Sequence, residues 1–171
     1  MKRLNLAIQK SGRLNKESIS LLEKSGIKFE NFKDQLMVEC ENFPLNIYFL
    51  RNSDIPRYLT DGVIDLAIIG QNLIYESELE IFEIMELNFS KCRVSIAIPE
   101  KMNYNKIEDL NNLRIATSYP KTLSNFLDKN KLNCEIHKIN GSVEIAPNIG
   151  LSDAVRSEEH TSELQSPCNL V

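Results

Sequence analysis

The spacing of hydrophobic and polar residues along this chain switches repeatedly between the strand period and the helix period. Leu4, Leu6 and Ile8 alternate with Asn5 and Ala7 and predict a first strand. Gln9-Lys10-Ser11-Gly12-Arg13-Leu14 breaks that pattern as a turn with two cations and a glycine. Asn15 then reads as the cap of a helix carrying Ile19, Leu21 and Leu22, and Gly26 supplies its stop. Residues 36–40 and 45–50 predict two strands of a hairpin around Glu41-Asn42-Phe43-Pro44. Arg51 follows at once. Asn52-Ser53-Asp54 offers caps for a short helix with Ile55, Tyr58 and Leu59 that closes near Asp61-Gly62. Residues 64–69 predict a buried strand that halts at Gly70, and Gln71-Asn72 opens another helix.

From Ile81 the pattern restarts. Residues 81–87 and 92–98 read as strands, 99–105 as loop and 106–110 as a short helical turn. Leu113, Ile115 and Thr117 alternate with Arg114 and Ala116 as a strand that ends abruptly at Ser118-Tyr119-Pro120. Pro120 lacks an N–H and has a fixed φ, so it suits the first turn of the helix bearing Leu123, Phe126 and Leu127. Residues 134–139 alternate as a further strand. His137 lies on it with no Cys, Asp or His partner close in sequence, which favours a structural histidine. Gly141-Ser142 closes that strand, Glu144 falls in the first turn of the next segment, and residues 151–155 read as the start of a helix. Two βα-rich halves predict two lobes, 1–88 and 89–155, with a cleft between them.

Composition narrows the class. A chain of 171 residues that is 42% hydrophobic and 26% charged is long enough for two small lobes with a core. A net charge of −4 gives no general pull toward nucleic acid or acidic membrane surfaces. Apolar runs are strand-sized and no leader-like stretch follows Lys2-Arg3, so the expectation is a cytoplasmic protein. Cys40, Cys92, Cys134 and Cys168 are scattered singly, which points to reduced thiols and away from a zinc site.

The candidate chemistry lies just past strand ends. Lys10, Gly12 and Arg13 follow the first strand, Arg51 the third and Gly70-Gln71-Asn72 the fourth. Thr117, Ser118 and Tyr119 bridge a strand and a helix in the second half. Helix N-termini, hydroxyls and cations at such turns suit phosphate or carboxylate, and in an open α/β sheet they gather along one edge. The P-loop pattern is absent. Taken one at a time, each turn reads more simply as a solvated or capped turn. A carboxylate such as Glu144 near a helix start favours the dipole in any protein, and its functional alternative is to accept ribose hydroxyls.

Together, Gln9-Lys10-Ser11-Gly12-Arg13-Leu14, Asp54-Ile55-Pro56, Asp61-Gly62-Val63-Ile64-Asp65-Leu66-Ala67-Ile68-Ile69-Gly70, Arg114-Ile115-Ala116-Thr117-Ser118-Tyr119-Pro120 and Gly141-Ser142-Val143-Glu144-Ile145-Ala146-Pro147 resemble the catalytic region of the ATP phosphoribosyltransferase family of histidine biosynthesis. The resemblance covers residues 1 to about 155 in order and spacing. It implies an α/β, two-lobed, periplasmic-binding-protein-like (type II) fold. It implies a glycosyltransferase that joins N1 of ATP to C1 of phosphoribosyl pyrophosphate and releases pyrophosphate, with Mg²⁺ arriving on the substrate pyrophosphate. Residue by residue, Lys10, Arg13 and Arg51 would serve substrate phosphates and the adenine side, with Gly12 in their turn. Thr117, Ser118 and Tyr119 would line the cleft, and Glu144 would face ribose. Asn72 stands where relatives can carry an acid, which leaves its role open. No general base and no protein metal cage is indicated. For the intact protein, the resemblance implies a homo-oligomer inhibited by AMP or histidine, with no nucleic-acid or membrane partner.

After Val155 the resemblance stops. The family continues into a glycine- and hydroxyl-rich loop that cradles the phosphoribosyl 5′-phosphate, whereas residues 156–171 show no strand alternation and resemble translated adapter or vector sequence. A genuine polar tail is the alternative. The expectation is an incomplete second lobe with uncovered strand edges and a fragment without turnover. A different class stays open: a cytosolic small-anion or nucleotide-binding module without catalysis, because fold alone does not fix function.

Overall fold

Alternation in the first strand sends Leu6 and Ile8 to one face and Ala7 to the other, and both faces are buried. The computed structural model describes residues 2–30, 32, 34–159 and 168–170, in two units, Met1–Ser90 and Lys91–Val171. The first contains β1 (Leu4–Gln9), α1 (Arg13–Lys24), β2 (Met37–Glu39), β3 (Leu45–Leu50), α2 (Ile55–Thr60), β4 (Leu66–Ile68) and α3 (Gln71–Ser77). Its sheet order is β2-β3-β1-β4, with β3, β1 and β4 parallel and β2 antiparallel to β3, as the hairpin pattern predicts. Leu6, Ile8, Ile47, Phe49 and Leu22 of α1 pack on one side of the sheet, and Ala7 meets Ile55 of α2 and Ile64 on the other. Full burial of each large aliphatic is worth about 1.5–3 kcal/mol, so packing on both faces holds β1 at the centre of the sheet.

The second unit contains β5 (Arg93–Pro99), a 3₁₀ turn (Ile107–Leu110), β6 (Arg114–Thr117), α4 (Pro120–Asn130), β7 (Glu135–Lys138), a second 3₁₀ turn (Val143–Ile145), β8 (Ala154–Glu159) and β9 (Cys168–Leu170). The order is β7-β6-β8-β5-β9, with β7, β6 and β8 parallel and β5 antiparallel to both β8 and β9. Leu123 and Leu127 of α4 cover Ile96, Ile98 and Ile115, while Ala116 and Val155 pack with Ala146 on the opposite face.

Three expectations are corrected. The first helix starts at Arg13 behind Gly12, not at an Asn15 cap; Asn15 lies inside the first turn, and its Nδ2 donates back to the Gln9 carbonyl at 2.7 Å. Residues 81–87 form no strand, and Phe82, Ile84 and Met85 are exposed at 88, 70 and 69%. Glu80, Glu83 and Glu86 recur every third residue there, which matches neither face of a strand. Residues 151–155 form no helix: 151–153 are irregular, and Ala154 opens β8, which runs to Glu159, into the stretch expected to lack strand character. The cause is long-range: Asp153 N donates to the Arg114 carbonyl at 2.8 Å, and β6 and β5 on either side satisfy the backbone of β8. Residues 160–167 and 171 of the expected tail lie outside the described residues.

Candidate functional site at the strand ends

Parallel strands end in the same direction, so the loops after β1, β3 and β4 share one edge of the first sheet. The chain runs from β1 to β3 on one side, then crosses to β4 on the other, which opens a crevice at the carboxyl end of β1. Lys10 N donates to the Leu50 carbonyl at 2.8 Å, so Lys10 and Arg51 leave adjacent strands side by side. Both are exposed, and among the described residues neither is held in an ion pair. Two un-neutralised cations at one strand edge create a local positive potential that attracts anions.

Gly12 caps α1 at φ 94° and ψ −169°, a conformation open essentially to glycine alone. The helix has no side-chain cap and no acidic residue in its first turn, so no carboxylate of its own first turn offsets its positive end beside the Lys10 loop. Arg13 opens this helix, and its Nε lies 3.8 Å from Glu17 Oε2. Asn72, second residue of α3, folds its side chain over Gly70; a β-carbon at Gly70 would collide with Asn72 Oδ1. A cavity of about 270 Å³ adjoins the Lys10 turn, lined by Lys10, Ser11, Asn15, Phe32, Asp34, Gln35 and Phe49.

In the second unit, β6 and β7 are parallel neighbours, so Thr117-Ser118-Tyr119 and the loop carrying Glu144 also share an edge. Thr117 is fully buried, and its Oγ1 accepts from Tyr119 N at 3.0 Å. Ser118 Oγ donates to the Ile139 carbonyl at 2.8 Å and accepts from Gly141 N at 3.4 Å. These hydroxyls therefore stitch two loops together. Tyr119 occupies the cap position of α4 with Pro120 behind it, as its sequence predicts. Glu144 is exposed in the second 3₁₀ turn.

Sequence reasoning missed three features. Phe32, Asp34 and Gln35, which line the cavity, carry no periodic signal. Buried Arg156 donates from Nη1 to the Tyr119 carbonyl at 3.4 Å, with its guanidinium carbon 5.2 Å from the Tyr119 ring centroid. Ser90 Oγ donates to Glu17 Oε2; the four-residue spacing of Arg13 and Glu17 is legible in sequence, but a partner 73 residues from Glu17 is not.

Burial pushes the Cys40 and Cys134 thiols up, which removes them as nucleophiles near neutral pH. Among the described residues no group of three or more His, Cys, Asp or Glu is arranged to hold a metal, and no helix is long and apolar enough to cross a membrane.

A family model described as ATP phosphoribosyltransferase matches residues 51–161. Proteins named ATP phosphoribosyltransferase from Cytophaga hutchinsonii and Bacteroides thetaiotaomicron are 50% and 47% identical over 152 residues. These matches cover 89% of this chain but 53% and 54% of those proteins, so the chain spans about half the length of the curated relatives it matches. The ATP phosphoribosyl transferase (HisG:HisZ) complex from Thermotoga maritima superposes with a TM-score of 0.77 at 27% identity, over 98% of this chain and 81% of that one. The alkanesulfonate-binding protein SsuA from Xanthomonas axonopodis pv. citri bound to MOPS gives a TM-score of 0.61 at 16% identity, over 99% and 60%, a likeness of fold alone.

Proposed function

Because the chain belongs to the ATP phosphoribosyltransferase family, we propose that its strand-end loops are the nucleotide- and pyrophosphate-facing parts of an enzyme of histidine biosynthesis that joins ATP to phosphoribosyl pyrophosphate. In that reaction the N1 lone pair of ATP forms a bond to C1 of the sugar, the C1–O bond to pyrophosphate breaks, and its electron pair leaves with the pyrophosphate. Charge gathers on the departing phosphate oxygens while C1 becomes cationic. Fixed donors aimed at those oxygens stabilise the transition state without a covalent intermediate.

The observation that carries this reading is the adjacency of Lys10 and Arg51, exposed at neighbouring strand ends beside the uncapped start of α1. Arg13 adds a third cation. Glu144 is suited to accept ribose hydroxyls, and Tyr119 offers a ring and a hydroxyl on the same edge as Glu144. Cations and hydroxyls match phosphate oxygens, not a divalent ion, so Mg²⁺ fits as an ion carried on the substrate pyrophosphate and neutralises its charge there. Residues 156–171 contain no glycine, so the glycine-rich phosphate loop implied by the resemblance does not lie there, and the expected behaviour of these 171 residues is weak binding of ATP or AMP at best, without turnover. Homo-oligomerisation, inhibition by AMP or histidine and a cytoplasmic location belong to the same proposal for the intact protein.

The binding-protein likeness favours one second reading, a small-anion module without chemistry. Thermal protection separates the two. Protection by ATP and AMP, lost in Arg51→Ala, supports the transferase lineage; protection by a sulfonate or amino acid but not by nucleotide supports the module. Sustained pyrophosphate release from ATP and phosphoribosyl pyrophosphate would refute the absence of turnover.

A further inference from the structure

We propose that Glu17 is a positioning residue whose carboxylate couples the Arg13 guanidinium at the strand-end edge to the Ser90 hydroxyl at the close of the first unit. One oxygen, Glu17 Oε2, faces both partners: Arg13 Nε lies 3.8 Å away, and Ser90 Oγ donates to the same atom. Glu17 is half-buried, which weakens competition from water. Ser90 is not a loose end. It adopts the left-handed conformation at φ 50°, Asn88 does the same at φ 60°, and Leu87 and Phe89 pack against the first core. The chain therefore reaches Ser90 through a stretch with no regular structure among the described residues and is fastened at its end by packing and by this one carboxylate.

One oxygen thus serves a hydrogen bond from Ser90 and an ion pair with Arg13, and the carboxylate cannot close on both at once, so firmer engagement of one loosens the other. An anion that draws the guanidinium away leaves Oε2 to Ser90 and tightens the tether. By thermodynamic reciprocity, breaking the tether returns Oε2 to Arg13 and weakens anion binding. That the anion is a phosphate oxygen rests on the function proposed above; the coupling through Glu17 does not.

The test uses the whole chain and millisecond-resolved amide exchange across residues 87–92. Glu17→Gln and Ser90→Ala each speed exchange there about fivefold, within the range of small local openings. Arg13→Gln slows it about twofold although Arg13 does not bond to that segment, and has no effect once Glu17→Gln is present. Saturating inorganic pyrophosphate slows exchange in the native chain and not in Glu17→Gln. Ser90→Ala lowers pyrophosphate affinity about threefold in the native background and leaves it unchanged in Glu17→Gln. An Arg13→Gln chain with native exchange, or an equal Arg13→Gln effect in both backgrounds, overturns the coupling. If pyrophosphate fails to bind while Arg13→Gln still slows exchange, the coupling stands and the proposed function falls.

Discussion

The two units present polar loops at the ends of parallel strands but fill them with opposite chemistry. In the first, Lys10 and Arg51 stand exposed with no ion pair among the described residues. In the second, the Thr117 and Ser118 hydroxyls already bond to Tyr119 N, the Ile139 carbonyl and Gly141 N. An un-neutralised cation pair can gain energy only from something outside the fold, whereas a satisfied hydroxyl has given its bond to the shape of the loop. Residues that look equivalent as phosphate donors in sequence thus divide into side chains left unpaired at the loop and hydroxyls already bonded within the fold; the function proposed above gives the ligand contacts to the first set.

The largest expected effect is on binding. Lys10→Ala with Arg51→Ala removes charge-assisted contacts worth about 1.5–3 kcal/mol each, so pyrophosphate affinity by calorimetry falls at least about tenfold. The melting temperature stays near native because neither side chain is packed. Ser118→Ala shows the converse: the second unit loses about 0.5–1.5 kcal/mol in denaturant unfolding, and affinity for pyrophosphate is unchanged. Native stability with abolished binding in Ser118→Ala would erase the distinction between the units.

Acid sharpens the comparison. Among the described residues, the carboxylates held below their usual range, Asp153 and Asp109, both lie in the second unit. For Asp153 the leading cause is the Arg114 side chain, at 2.8 Å from Nη2 to Oδ1 and 3.1 Å from Nε to Oδ2, followed by the Arg114 backbone N–H at 2.9 Å. A depressed folded pKa contributes stability above the unfolded value of about 3.9 and loses it as pH falls through the lower folded value. Acid unfolding below about pH 4 therefore begins in the second unit, and Asp153→Asn flattens its pH dependence there while lowering stability at neutral pH. Residue-resolved spectra across an acid titration report which unit goes first.

The same contrast explains what was legible beforehand. Strand-period runs at 4–9, 45–50 and 113–117 are local signals, and the turn residues after them mark the strand ends directly. The Lys10 and Arg51 edge follows from those ends plus the parallel pairing of β1 with β3. The role of Ser118 was not legible, because its partners Ile139 and Gly141 lie on another loop. Residues 151–155 misled because the Arg114–Asp153 clamp that draws them into the sheet spans 39 positions. Asn15 misled because both it and Gly12 can start a helix, and only the observed backbone at Gly12 decides between them.

The smallest effect tests the same logic inside one unit. Ser152 is 3% exposed in the loop before β8, and its Oγ has no hydrogen-bond partner among the described residues. Ser118 and Ser152 are thus the same residue type with opposite bonding. A buried hydroxyl without a partner bears a desolvation penalty of about 1–3 kcal/mol, partly offset by the packing of its oxygen. Ser152→Ala removes the penalty together with that packing, so unfolding free energy should stay level or rise by up to about 1 kcal/mol. A loss as large as that of Ser118→Ala would mean that Ser152 bonds as firmly as Ser118 does, and bonding state would no longer separate the two serines.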